Sequence, residues 1–180
     1  MKRYLSINVF GLMAFTTLNA LKALDDKLAM QFYDQKQYDK AAIYFEKLYD
    51  KQPDAYFTYY FKCLIETKDY KTAEKITKRH IKHSEGNTHL YVKLGQVYKL
   101  MENPDKEKEQ YNKAVKEVIP EQNFVFALAH AFEETELYDY AIEVYKKGRK
   151  QTAASYPYYY EIADLYKKKG DLKSMVSIKH

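Results

Sequence analysis

Tryptophan is absent from the 180 residues, cysteine occurs once, and glycine and proline number only 5 and 4. The single Cys63 excludes an internal disulfide framework. So little turn-forming chemistry excludes a fold of many short strands. The glycines, at 11, 86, 95, 148 and 170, never cluster, so no glycine-rich loop is available to cradle phosphate. What is abundant is Lys, Glu, Ala, Leu and 20 tyrosines, a composition that favours helix. The length suits one domain with a sizeable core.

The first residues form a segment apart. "MKRYLSINVFGLMAFTTLNALKA" opens with Lys2 and Arg3, continues through an apolar run centred on Ile7 to Phe15, and ends in small and polar residues near Ala20 or Ala23. That is the layout of a secretory leader over 1–23. A spanning helix needs about 20 apolar residues, and Ser6, Asn8, Thr16, Thr17 and Asn19 interrupt this run. No cysteine lies near the cut, so lipid attachment there is excluded. Loss of Lys2, Arg3 and Lys22, with no acid, lowers the formal charge from +5 to +2. A nearly neutral remainder, 24–180, gives no electrostatic reason to seek nucleic acid or a membrane surface. The leader predicts export to the periplasm or cell envelope.

The remainder repeats itself. "QYDKAAIYF", "DYKTAEKI" and "LYDYAIEVY" share a tyrosine, two residues, an alanine and an apolar residue, with alanines at Ala41, Ala73 and Ala141. About a dozen residues upstream of each lies a second apolar-periodic segment; "HLYVKLGQVYKL" and "YEIADLYKKKGD" are of this kind. Aligned on their small residues, the units start near Lys22, Asp54, Thr88, Gln122 and Tyr156, which are 32, 34, 34 and 34 residues apart. They divide the chain into 22–53, 54–87, 88–121, 122–155 and an incomplete 156–180.

These residues resemble the tetratricopeptide repeat family, whose first helix reads aromatic, two residues, Leu-Gly, two residues, Tyr. Tyr91, Leu94, Gly95 and Tyr98 match throughout. Val125, Leu128, Ala129 and Phe132 follow the same scheme, as do Tyr159, Ile162, Ala163 and Tyr166, and Asp25, Leu28, Ala29 and Phe32. In second helices, Ala41, Phe45 and Leu48, and Ala141, Tyr145 and Gly148, match the small–aromatic series, and Pro53 falls on the closing proline. The resemblance covers about 22–180. It implies an all-α fold: an α-solenoid of stacked antiparallel helix–turn–helix units in a right-handed superhelix. Paired helices approach to roughly 8–10 Å, and small residues set the near end of that range. Gly95, Ala29, Ala129 and Ala163 make room on first helices, and Ala41, Ala73 and Ala141 on second ones.

Helix ends agree with this register. Asn103 before Pro104 is a cap followed by proline at the first helical position. Gly86 ends one helix, and Thr88 is placed to cap the next. Two departures, Phe61 in a small slot of a unit preceded by a short one and Glu107 where the other units carry alanine, predict local distortion. The last helix, "DLKSMVSIKH", leaves Met175, Val176 and Ile178 partly exposed, which suggests a piece of a longer array.

Few residues suggest chemistry. His80 and His83 share a helix face, with His89 past a turn, yet no further ligand completes a zinc spacing. They read as exposed histidines among lysines. Cys63 lacks a pairing base and reads as a small buried side chain. Glu133 and Glu134 diverge by about 100° on a helix and read as a solvated face. Lys146–Lys147, Arg149–Lys150 and Lys167–Lys169 sit at helix ends, where they complement the dipole. No cofactor, metal or catalytic group is expected.

The resemblance implies a concave wall lined by first helices, with positions at Tyr33, Lys62, Ile65, Gln96, Lys99, Phe126, His130, Glu133, Tyr160 and Lys167. Their aromatic, weakly charged mix suits a peptide or partner protein better than phosphate. Lys62, Gln96 and His130 stand where family members that clamp chaperone C-termini carry asparagines, so that ligand is not implied. The expected function is an exported, non-enzymatic protein-interaction scaffold. Its alternatives are a cytoplasmic adaptor, a nucleic-acid-binding repeat protein with tyrosines as stacking platforms, and a metal-dependent activity at His80 and His83.

Overall fold

The structure, a computed structural model, describes residues 22–83, 86–151 and 157–178. All but the last two residues of the expected leader lie outside them. Ten helices and no strand occur among the described residues: α1 (22–34), α2 (Tyr38–Lys51), α3 (Pro53–Glu66), α4 (Tyr70–His83), α5 (His89–Leu100), α6 (Pro104–Glu117), α7 (Gln122–Glu133), α8 (Tyr138–Gln151), α9 (Tyr159–Lys168) and α10 (Leu172–Val176). The expected all-α array of helical hairpins is what the chain forms. It divides into two compact units, Met1–Ile76 and Thr77–His180.

One device makes every hairpin. Lys36, Lys68, Glu102, Glu136 and Gly170 take left-handed backbone conformations, with φ of 57°, 61°, 55°, 58° and 75°. Each donates its N–H three residues back, and the next residue donates five back: Lys36 to Tyr33 and Gln37 to Phe32, then Glu102 to Lys99 and Asn103 to Tyr98, and likewise at the others. This is the Schellman arrangement, which satisfies carbonyls that a helix end leaves open. The five residues recur at intervals of 32, 34, 34 and 34, the spacing of the repeats. Side chains then start the next helix: Asp69 accepts from the Thr72 N–H at 3.1 Å, Asn103 from Lys106 at 3.2 Å and Asp171 from Ser174 at 3.0 Å. Pro104 takes the first helical position, as expected. Thr88 does not cap: its backbone is already helical, its side chain makes no cap bond, and it is buried.

The expected distortions are absent from the helices. The short unit loses its residues between helices, where Gln52 alone separates α2 from α3. Both α3, which carries Phe61, and α6, which carries Glu107, run unbroken for 14 residues.

In the Met1–Ile76 unit, α2 packs on α3 around a largely aromatic core of Phe45, Tyr49, Phe57, Tyr60 and Phe61, with Ala29, Ala41, Cys63 and Ala73 wholly buried. The Tyr49 hydroxyl donates to the Ile76 carbonyl at 3.2 Å, so this buried polar end is satisfied. Phe32 stacks on Tyr44 at 5.8 Å between ring centres, tying α1 to α2.

In the Thr77–His180 unit, α5 packs on α6, α7 on α8, and α9 on α10, while α5 also meets α7 and α6 meets α8. First helix α5 therefore stacks on first helix α7 and second helix α6 on second helix α8, while the last hairpin joins through α8 against α9; each hairpin meets its neighbour, as in a solenoid. Small residues permit it. A Cβ at Gly95 would overlap Cε1 of Tyr111 and stand 2.9 Å from its Cζ. A Cβ at Gly148 would come 2.9 Å from Val125 Cγ1. Ala129 and Ala141 are wholly buried, whereas Ala163 is half-buried because α10, its partner, has only five residues. Beyond it, Val176 is 77% exposed, while Ile178 packs against the core.

Candidate partner-binding faces

In the Met1–Ile76 unit, the Tyr33 ring lies edge-on to Tyr38, Phe45 and Tyr59 at 5.7, 5.9 and 5.3 Å and is half-buried. Burial pushes its pKa up and the charge of Lys62 pulls it back, so Tyr33 and Lys62 share one locality. Lys62 is exposed and pairs with Glu66 at 3.4 Å, and Ile65 beside it is half-buried. An exposed pair of this kind adds little stability; it leaves a cation at the surface next to aromatic and aliphatic area.

In the Thr77–His180 unit, α5 and α7 enclose a cavity of about 190 Å³. His89, Lys93 and Gln96 line it from α5, and Ala127, His130 and the helix-capping Glu134 from α7. The structure thus brings Gln96 and His130 to one groove, and adds His89, Lys93, Ala127, Ala131 and Glu134, which sequence reasoning did not place there. For His89 and Lys93 the signal was their spacing of seven and three residues from Gln96, which puts them on its helical face. Burial lowers the pKa of Lys93, and Glu134 raises it again. Burial also lowers that of His89, with Lys93 and then His80 adding to the effect. His130 Nδ1 lies 3.4 Å from Glu134 Oε1, and both side chains are largely exposed. A half-buried ammonium, an amide and an imidazole offer hydrogen bonds to main-chain carbonyls or carboxylates.

The other wall positions separate. Phe126 turns into the core, edge-on to Tyr145 at 5.8 Å and Tyr158 at 5.5 Å. Glu133 is not a solvated acid: half-buried, it accepts from the Tyr145 hydroxyl at 3.2 Å and from Lys168 at 3.2 Å. Lys168, which also pairs with Asp164 at 2.9 Å, takes the partner role beside the exposed Lys167. Lys99 is exposed, and Tyr160 is 86% exposed.

The remaining candidates resolve into structure. His80 is buried, against the expectation of an exposed residue, because it continues the stripe of Ala73, Ile76 and Thr77 along α4. His83 is exposed and its Nδ1 turns back to the Arg79 carbonyl at 2.8 Å. Among the described residues, no three His, Cys, Asp or Glu side chains are grouped to hold a metal ion. Cys63 is wholly buried, and burial pushes its thiol up to about 12. Lys147 donates to the Val115 carbonyl at 2.7 Å, completing the C-terminus of α6 rather than of its own helix. Lys146 donates to the Tyr166 hydroxyl at 2.8 Å and Arg149 lies over Tyr159 at 5.3 Å, so the Tyr159 ring face that a base would need is already covered. No helix among the described residues is long and apolar enough to cross a membrane.

Two segments, 88–117 and 156–178, match the sequence profile of the family described as tetratricopeptide repeat. No curated protein sequence matches the chain. Among solved structures, a MamA protein is similar at 15% identity, covering 87% of each chain, with a TM-score of 0.46. YrrB, a tetratricopeptide protein with an unusual peptide-binding site, is similar at 15% identity over 83% of this chain and 78% of that one, with a TM-score of 0.40. The TPR2AB domain of yeast Sti1 in complex with pHSP90 is similar at 14% identity over 89% and 75%, with a TM-score of 0.46. Scores this low carry no weight for function.

Proposed function

We propose that this chain, which carries tetratricopeptide repeats at 88–117 and 156–178, is a non-catalytic scaffold that holds a peptide or partner protein on its first-helix faces. The observation that carries the reading is the α5–α7 groove, where Lys93, Gln96 and His130 present hydrogen-bonding groups around a cavity of about 190 Å³. In the Met1–Ile76 unit, the surface at Tyr33, Lys62 and Ile65 is the corresponding candidate. Lys99, Glu133, Tyr160 and Lys167 extend the proposed contact in the other unit, with Phe126 beneath it as support. A photo-crosslinking side chain at Gln96 or His130 should give a discrete protein adduct in cells, and one at the exposed Glu143, on α8, should not. Adducts to nucleic acid, or equal adducts from both faces, would refute this.

The scaffold is proposed to work in the periplasm or cell envelope, as the Lys2–Arg3 start and short apolar run of 1–23 support. Fusing residues 1–30 to a reporter active only outside the cytoplasm tests this separately. A silent reporter would favour the cytoplasmic adaptor.

A further inference from the structure

A second groove lies about half a turn round α5 from Gln96, wholly within the Thr77–His180 unit. Its cavity is about 640 Å³, within the roughly 300–1,000 Å³ typical of ligand sites. Tyr91, Leu94 and Tyr98 form its floor, the end of α4 supplies Lys78 and Lys82, and α6 supplies Lys106 and Lys113. Lys78 and Lys106 come from different helices yet converge on one ring, at 5.8 and 5.3 Å from the centre of Tyr98. Lys113 lies 4.9 Å from the centre of Tyr91. Glu109 is the one carboxylate in the lining, against four lysines. Lys113 also approaches Glu117, at 4.0 Å. Four lysines against one carboxylate give the lining a net positive charge, which attracts an anionic partner.

From this convergence we infer that the α4–α5–α6 groove docks an acidic peptide segment, its carboxylates between the lysines and an apolar side chain on the Tyr91–Leu94 floor. Tyr98 is buried beneath Lys78 and Lys106 and offers no open face on which a base could stack, which favours a peptide over single-stranded nucleic acid. The site is distinct from the α5–α7 groove, so failure of the crosslinks at Gln96 and His130 leaves it standing.

The test is fluorescence anisotropy on the full chain with a labelled Glu-Asp-Glu-Leu-Phe-Asp-Glu-Glu peptide, its Gln/Asn isostere and a labelled oligo-dT. The acidic peptide should bind at least about tenfold tighter than either control and weaken as salt rises. Lys78→Glu with Lys106→Glu should weaken it by at least about tenfold, while the same reversals at the exposed Lys150 and Lys173, on other helices, should change it less than about twofold. If circular dichroism shows that the groove reversal misfolds, Lys78→Gln with Lys106→Gln takes its place, with the same direction expected. No binding, equal binding of the isostere, tighter binding of oligo-dT, or equal loss from the remote reversals would overturn the proposal.

Discussion

Replacing Gly95 by alanine sets two effects against each other. Alanine in a helix interior is favoured over glycine by about 1 kcal/mol. Against that, the new methyl group would overlap the middle of the Tyr111 ring rather than its tip, standing 2.6 Å from Cδ1. The ring has nowhere to go: Tyr111 is 2% exposed and is held by Phe132 at 5.8 Å and Tyr140 at 5.4 Å. Overpacking of this kind costs about 1–3 kcal/mol, and a mid-ring clash belongs at the upper end. Gly95→Ala should therefore destabilise the protein by a net of about 1–2 kcal/mol. The assay is urea unfolding followed by far-ultraviolet circular dichroism, with slopes compared so that a change in the unfolding unit is seen. The control is the same substitution on a Tyr111→Leu background, where the obstructing ring atoms are gone. There Gly95→Ala should be neutral or stabilising by up to about 1 kcal/mol. If it stabilises the wild-type protein, or has the same effect on both backgrounds, the close approach of α5 and α6 is not what the glycine serves.

Glu102 holds a left-handed turn without the freedom of glycine, so Glu102→Gly should raise stability by up to about 1 kcal/mol in the same unfolding assay. Cys63, buried and with its thiol pushed up to about 12, should resist alkylation near pH 8 and react only as urea unfolds the chain. Rapid labelling of the folded protein would contradict its burial. His89 has a lowered pKa when folded, so the unfolded chain takes the proton first as pH falls. Its contribution is present above the ordinary histidine value of about 6.5 and is lost below it. His89→Gln should flatten the fall in urea midpoint between about pH 7 and pH 5, and an unchanged slope would place the imidazole in solvent.

The repeat was legible because small residues and tyrosines recur where helices touch, and that recurrence is a property of the string. Ala41, Ala73, Ala129 and Ala141 are all wholly buried. The turns were harder to see: four of the five left-handed residues inside the hairpins carry Lys or Glu, so nothing in their chemistry announces the conformation that neighbouring hydrogen bonds impose. His80 was misread because its neighbours are charged, although its spacing from Ala73, Ile76 and Thr77 follows a buried stripe. Glu133 was misread because its partners, Tyr145 and Lys168, arrive from two other helices. For the same reason neither cavity was visible, since the lysine groove needs three helices to assemble it. Only Gln96 and His130 carried the α5–α7 face into the sequence reading.

The five identical chain reversals carry an evolutionary consequence. Their hydrogen bonds run entirely between main-chain atoms a few residues apart, so each reversal is self-contained and indifferent to most side-chain changes. Copying out or duplicating a stretch from one reversal to the next leaves both junctions chemically intact. Growth or loss by whole modules is the change such a chain tolerates most readily, and the cost falls on the side chains that must mate with a new neighbour.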